Sequence, residues 1–336
     1  MKAFGLPEMK TYGHNQQYNI LVMELLGPSL DTLFYYNNDK FSLKTSCMIG
    51  LQILDRIEYI HSRRIIHCDI KPGNFAIGGE DKKSHIIYII DFGFAKKYWN
   101  PTTKCHIPFI KGKRLTGTAK YASVNTLSGY EPSRRDDLES VAYLIIYFIK
   151  GRLPWQGFRH INKEERNRRI LETKKKISSE ELCSGCPKEL EVFIDYIKHL
   201  GFTEVPDYDY LRQILKNIME KNNLNLDYYF DWDEEDPHIS KDDIIYKNNY
   251  HIEYNGKKEW LIRNSDIANE QVSKEKNDVN ICSKPILVRY KVPYYRNSYK
   301  KSSLDIDYKT FSSSYSNLGI NSAQYVSCRK NSIICK

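Results

Sequence analysis

The 336-residue sequence has no apolar run near the roughly 20 residues that cross a bilayer as a helix. Its best candidate, residues 141–149, has nine residues and predicts a buried helix instead. The opening MKAFGLPEMKTYG lacks the apolar segment of a secretory signal. The eight cysteines are scattered, which fits a reducing compartment. Cys183 and Cys186 form a lone C-x-x-C with no second pair at zinc spacing, and closed zinc sites need four ligands. No internal repeat is visible. Acidic residues are scarce at one end: residues 284–336 carry ten Lys/Arg against two Asp/Glu, a net of +8 out of +9 for the chain. The basic balance therefore describes a tail and says little about the remaining body.

What is present is enough apolar residue, 41%, to bury a core. Two polar clusters stand out in residues 61–95, HSRRIIHCDIKPGNFAIGGEDKKSHIIYIIDFGFA. His67, Asp69, Lys71 and Asn74 form H-x-D-x-K-x-x-N, and Asp91, Phe92 and Gly93 form D-F-G directly after the strand-like run 86–90. An Asp can accept a proton from a hydroxyl and a Lys can neutralise a phosphoryl group. An Asn and a second Asp can hold divalent cations, which prefer oxygen ligands. These pieces, in this order and at this spacing, resemble the catalytic and metal-binding loops of a eukaryotic protein kinase.

Along the chain, residues 7–13 and 18–26 predict two strands joined by a polar turn, and Gly27-Pro28 predicts a break. Ser29 is a candidate N-cap for a short helix through Tyr36. Over 43–62, Cys47, Leu51, Leu54 and Ile57 recur at helical steps, with Ile53 and Ile60 widening the stripe. Residues 96–120 read as irregular and basic. Residues 137–149 predict a helix apolar nearly all round, at the centre of the domain. Further helices are expected at 162–174, 187–200 and 207–222, then a packed turn at 228–232. Beyond residue 233, Asn, Lys, Ser and Tyr dominate and apolar periodicity fades, which predicts a mostly disordered tail.

Several stretches narrow the resemblance to the casein kinase 1 family: VMELLGPSLDTLF (22–34), RIEYIHS (56–62), YIIDFG (88–93), HIPF (106–109), LTGTAKYASVNT (115–126), SRRDDLES (133–140), LPWQG (153–157), PDYDYLRQ (206–213) and DYYFDW (227–232). Ser123-Val-Asn125 stands where most kinases carry A-P-E, a replacement typical of that group. The resemblance covers about residues 5–232. Tau-tubulin kinases, a sister group, match less well. It implies an α+β protein-kinase-like fold: a small-lobe remnant and hinge over 1–26, a mostly helical large lobe over 27–232, and a tail over 233–336. It implies phosphoryl transfer from ATP to Ser or Thr with Mg²⁺. Asp69 would be the base, Lys71 would meet the transferring phosphate, and Asn74 and Asp91 would hold magnesium. Met23 would back the adenine pocket, the Glu24 and Leu26 backbone would contact adenine, and Ala76 would floor the pocket in place of a larger Leu. Asp137 would hydrogen-bond the catalytic-loop backbone. Substrates would be acidic or phosphate-primed proteins, read by Lys113, Lys120 and Arg166, since basic side chains give charge-assisted hydrogen bonds to phosphate oxygens.

Three departures accompany the resemblance. The chain starts where the family's fourth strand should be, with no Gly-rich loop, V-A-I-K lysine or paired glutamate before it. The expectation is an incomplete gene product, the alternative a catalytically weak pseudokinase acting as a scaffold. Cys68 replaces the Arg of H-R-D, so control through a phosphorylated activation loop is not expected, and a plain buried thiol is. Gly73 replaces a polar residue and would loosen the loop.

The tail stretch 289–301 interleaves basic and aromatic residues, a composition able to meet RNA, an acidic protein or an anionic membrane. The Ser-rich patch 311–316 is a candidate autophosphorylation site. A monomer without a transmembrane segment is expected, cytoplasmic or nuclear as the family is, although Lys174-Lys175-Lys176 is too short to argue nuclear import.

Overall fold

The computed structural model describes residues 4–14, 18–79, 81–158 and 161–233, together with short strand segments at 250–254, 257–260, 287–290, 326–329 and 332–333. The tail readings at 289–301 and 311–316 lie outside these residues, apart from 289 and 290.

The chain opens with an antiparallel pair, β1 (Met9–His14) and β2 (Tyr18–Met23), in the register Tyr12↔Leu21 and Gly13↔Ile20. The expected break at Gly27-Pro28 is instead part of a strand, β3 (Leu26–Ser29). Gly27 lets that strand lie close to its neighbour: a Cβ there would sit 2.8 Å from Ile77 Cγ1 and 2.9 Å from Gly78 O. Pro28 has no N–H to give, and the ladder is irregular between Leu26 and Ser29. Helix α1 (Leu30–Tyr36) follows, capped by Ser29 as expected.

Helix α2 (Leu43–Ser62) has the predicted bounds. Ser42 accepts from the Thr45 amide at 3.1 Å, and the apolar stripe faces inward. The two-residue strand β4 (Ile65–Ile66) leads into the polar loop 67–74. Strands β5 (Phe75–Gly78) and β6 (Ile87–Ile89) then pair antiparallel, and β3 completes this sheet in the order β3-β5-β6.

The stretch expected to be irregular contains three two-residue strands: β7 (Lys96–Lys97) on β4, and β8 (Trp99–Asn100) on β9 (Cys105–His106). Such short bridges have no periodicity of their own. They are set by the strand they meet.

The body is helical. Helices α3 (Val124–Leu127), α4 (Arg134–Lys150), α5 (Lys163–Lys176), α6 (Ser179–Cys183), α7 (Glu189–His199) and α8 (Tyr208–Lys221) match the predicted set, with α3 and α6 added. Helix α4 starts three residues ahead of its predicted start because Ser133 is the N-cap, its amide donating to Asp136 Oδ2 at 2.7 Å. From Leu138 to Phe148 α4 is buried all round, as its composition requires. Gly50 brings α2 against α4 and α8: a Cβ there would stand 2.9 Å from both Ile145 Cδ1 and Leu215 Cδ1. The expected packed turn closes on α2. Phe230 is buried and stacks on Trp232, and Asp231 accepts from Ser42 N and Oγ, both at 2.6 Å.

By compactness the chain divides into a unit of Met1–Asp233 with Gln324–Lys336, and a unit of Glu234–Ala323. In the first, β13 (Val326–Arg329) pairs antiparallel with β2, Val326 opposite Leu21, and β14 (Ser332–Ile333) pairs with β13. In the second, β10 (Tyr250–Tyr254) lies between β11 (Lys257–Trp260) and β12 (Leu287–Tyr290).

Candidate active site

The β5–β6 hairpin brings the two polar clusters together. Asn74 immediately precedes β5 and Asp91 lies two residues beyond β6. The register Phe75↔Ile89 leaves both at one end of the ladder. The Ile90 amide donates to Asn74 O at 2.9 Å and ties the two loops directly.

Asp69 is the centre of the first loop and is buried. Its Oδ2 accepts from Lys71 Nζ at 2.6 Å and from Asn74 Nδ2 at 3.3 Å, and its Oδ1 accepts from Thr118 Oγ1 at 2.9 Å. Asn74 Nδ2 also donates to Asp69 O at 2.8 Å, which leaves the amide oxygen of Asn74 as the atom to offer a cation. Asp91 sits in the left-handed region, φ 63°, with Oδ1 accepting from the Gly93 amide at 3.2 Å. The two residues present hard oxygen donors, which fit a magnesium ion that keeps waters and phosphate oxygens as its other ligands. Among the described residues no group of three or more His, Cys, Asp or Glu could hold a metal ion.

The loop is held from below. Asp137, on α4, accepts from the His67 amide at 2.7 Å, the Cys68 amide at 2.9 Å and His61 Nε2 at 2.9 Å. Burial pushes the Asp137 carboxyl up, but the His61 hydrogen bond and the neighbouring imidazoles outweigh it and hold the group below the usual carboxylate range. His61 in turn meets Tyr208 Oη through Nδ1 at 2.6 Å. His67 Nδ1 accepts from the Asp69 amide at 3.4 Å, so Nε2 carries the proton and donates to Ile90 O at 3.1 Å. Burial pulls the His67 pKa down against the surrounding carboxylates and keeps the ring neutral.

Cys68 adopts φ 66°, and burial followed by the Asp137 charge pushes its thiol well above the ordinary value. The side chain is half-buried, and the shift favours the thiol over the thiolate.

The residues expected on the nucleotide side lie on or between the small strands. Met23 ends β2, and the Glu24 amide donates to Glu8 O at 2.9 Å, so a base there would use the Glu24 carbonyl. Leu26 opens β3 opposite Gly78, and buried Ala76 lies opposite Ser29 and Tyr88.

The three basic residues assigned to phosphate reading are spread differently. Lys113 pairs with Glu131 at 3.0 Å, and Lys96 binds the same carboxylate. Burial pushes Glu131 up, but the Lys96 and Lys113 hydrogen bonds outweigh it and hold its pKa below the usual range. Lys120 lies over the Tyr147 ring at 3.5 Å and the Tyr121 ring at 4.9 Å. Burial pulls its ammonium down to about 8 against Asp31 and Asp39. Arg166 is exposed on the first turn of α5.

Sequence reasoning passed over Thr118 as a partner of Asp69, Glu131 as the counter-charge to two lysines, and His61 as a second hand on Asp137. The signal for Thr118 was LTGT. Gly117 precedes it with φ +82°, and a Cβ there would stand 2.4 Å from Cys68 O, so this segment is built to lie against the catalytic loop.

Residues 7–223 match the protein kinase domain. No helix among the described residues is long and apolar enough to cross a membrane. The matched span holds both polar loops and the helices that carry them, and the chain belongs to the protein kinase family, whose members use ATP and a divalent metal to phosphorylate proteins.

Proposed function

We propose that this kinase is of the casein kinase 1 type and phosphorylates Ser or Thr in acidic or phosphate-primed proteins, with Mg²⁺ as the metal. The observation that carries the reading is Asp69. Its carboxylate is tied on one oxygen to Lys71 and Asn74 and on the other to Thr118.

Asp69 orients the substrate hydroxyl and takes its proton as the oxygen attacks. Lys71, already on Asp69, reaches the transferring phosphoryl group and offsets its charge. Asn74 and Asp91 hold the metal, and Asp137 keeps the loop backbone in place. Bound Mg²⁺-ATP supplies the phosphoryl group and the metal charge on its oxygens. Met23, Glu24, Leu26 and Ala76 border the adenine.

Lys113, Lys120 and Arg166 are the cations that read acid or phosphate on the substrate. Lys113 would exchange Glu131 for that group. The division into small-lobe strands with the hinge, large lobe and basic tail, the monomeric state, the cytoplasmic or nuclear location and an anionic partner for the tail belong to the same proposal. Sedimentation tests the monomeric state, imaging of a tagged chain the location, and salt-sensitive RNA capture by residues 284–336 the partner.

The deciding experiment is transfer to casein and to paired acidic and neutral peptides with Mg²⁺-ATP, beside Asp69→Asn, with phosphoamino-acid analysis. The expected outcome is phosphoserine or phosphothreonine formed preferentially on the acidic peptide and lost in the variant. Phosphotyrosine, or transfer that survives Asp69→Asn, overturns the reading.

A further inference from the structure

Lys174 begins the basic triplet that ends α5 and takes no part in the chemistry above, yet it is only 2% exposed. A lysine in the last turn of a helix normally reaches into water. This one turns inward. Its Nζ donates to Ala122 O at 2.5 Å and to Ala119 O at 3.3 Å. It also lies over the faces of Tyr143 at 4.3 Å and Trp155 at 4.6 Å. A buried amine is unfavourable unless its protons find acceptors, and here two carbonyls and two ring faces receive it.

The same segment is held at neighbouring points. Trp155 Nε1 donates to Lys120 O at 2.7 Å. The Val124 amide donates to Glu139 Oε1 at 2.8 Å, an oxygen that also accepts from Tyr143 Oη at 2.6 Å. Ser123 Oγ donates to Asp136 Oδ1 at 2.5 Å. The held segment reaches the catalytic loop through Thr118. The Tyr121 and Ala122 amides both donate to Thr118 O at 3.0 Å, and Thr118 Oγ1 donates to Asp69 Oδ1. A continuous line of hydrogen bonds thus runs from Lys174 through Ala122 and Thr118 to Asp69.

We propose that Lys174 is a positioning residue, which by holding the carbonyls of Ala119 and Ala122 fixes the segment that sets Thr118 against Asp69. The inference rests on the reading of Asp69 as the base. Burial pulls the Lys174 ammonium down to about 7 against the Glu139 charge. The neutral amine keeps two N–H donors, one for each carbonyl, so the clamp does not depend on the charge.

Hydrogen exchange on the full chain beside Lys174→Met tests this, because methionine keeps the length and removes the donors. The expected result is exchange across 118–124 roughly tenfold or more faster, the size of one lost hydrogen bond to a charged or buried group, with α2 and α4 unchanged. In kinetics the variant raises the KM for peptide and leaves the KM for ATP within about twofold, a split that general loosening of the fold would not produce. A folded variant whose 118–124 segment exchanges like the native one overturns the proposal. If Lys174→Met does not fold, the native chain decides: segment amides as slow as those of α5 support the clamp, and open-loop rates overturn it. A native chain that transfers no phosphate to Ser or Thr would fail the kinase specificity reading, while the exchange comparison still decides the clamp.

Discussion

At the residue scale the tightest constraint is Gly117. It occupies φ +82°, where an L side chain is strained, and an added Cβ would meet Cys68 O at 2.4 Å and Asp69 Oδ1 at 3.0 Å. None of these contacts can yield cheaply, since two atoms belong to the catalytic loop. Gly117→Ala should therefore push Thr118 away from Asp69, lower peptide phosphorylation on the order of 100-fold and lower the melting temperature as well. Steady-state kinetics beside thermal melts check this, and wild-type turnover in the variant would refute it. That Asp69, Lys71 and Asn74 share one loop and Asp91 a second was legible in the sequence, because H-x-D-x-K-x-x-N and D-F-G bring them close by spacing alone. Thr118 and Glu131 were not, since each is defined by a partner 49 or 35 residues away. Lys120 was legible as a cation, but its aromatic clasp with Tyr147 depends on how α4 packs.

At the element scale, helix bounds followed the caps and stripes. Ser29, Ser42, Asn162 and Asp207 each accept from an amide three residues on, so α1, α2, α5 and α8 begin close to their predicted starts. Helix α6, at five residues, is too short to show a period, and β7 to β9 exist only through their partners. The start of α2 has a second support that its own sequence does not contain. Asp231 accepts from Ser42 N, Ser42 Oγ and Thr45 Oγ1, placing a carboxylate at the positive end of the helix. Asp231→Ala should lower stability by about 1–2 kcal/mol. Asp231→Asn should lose less, because an amide oxygen still accepts from one of the three groups. Denaturant unfolding of both variants measures the difference, and equal losses would place the whole effect in the carboxylate charge rather than in the hydrogen bonds it accepts.

At the scale of the whole molecule, buried titratable groups give stability a pH dependence whose sign can be worked out. Burial pushes Asp136 up to about 6, so the folded chain binds more protons than the unfolded one between about pH 4 and 6, and this group's contribution falls as pH rises through that window. His67, pulled down by burial, acts oppositely below its ordinary value, so the two offset one another in acid. Above pH 7 the lysines dominate. Lys174 titrates near 7 and Lys120 near 8 when folded, both well under 10.5, so the folded chain binds fewer protons and stability rises with pH. The groups facing Lys174 are Glu139 and Tyr143 from α4, and burial pushes Tyr143 well above its ordinary value, so Tyr143 stays protonated in this range. Above about pH 9 the buried Cys47 and Cys183 thiols, each raised to about 12, oppose that rise, because they ionise only on unfolding. Denaturation midpoints should thus climb from pH 7 to 9, and Lys174→Met should flatten most of that climb. If the variant kept the full slope, Lys174 would not be the titrating group. The same lysine that orders the segment beside the catalytic loop would then have to stay charged in the folded chain, leaving Lys120 over Tyr147 as the source of the pH response.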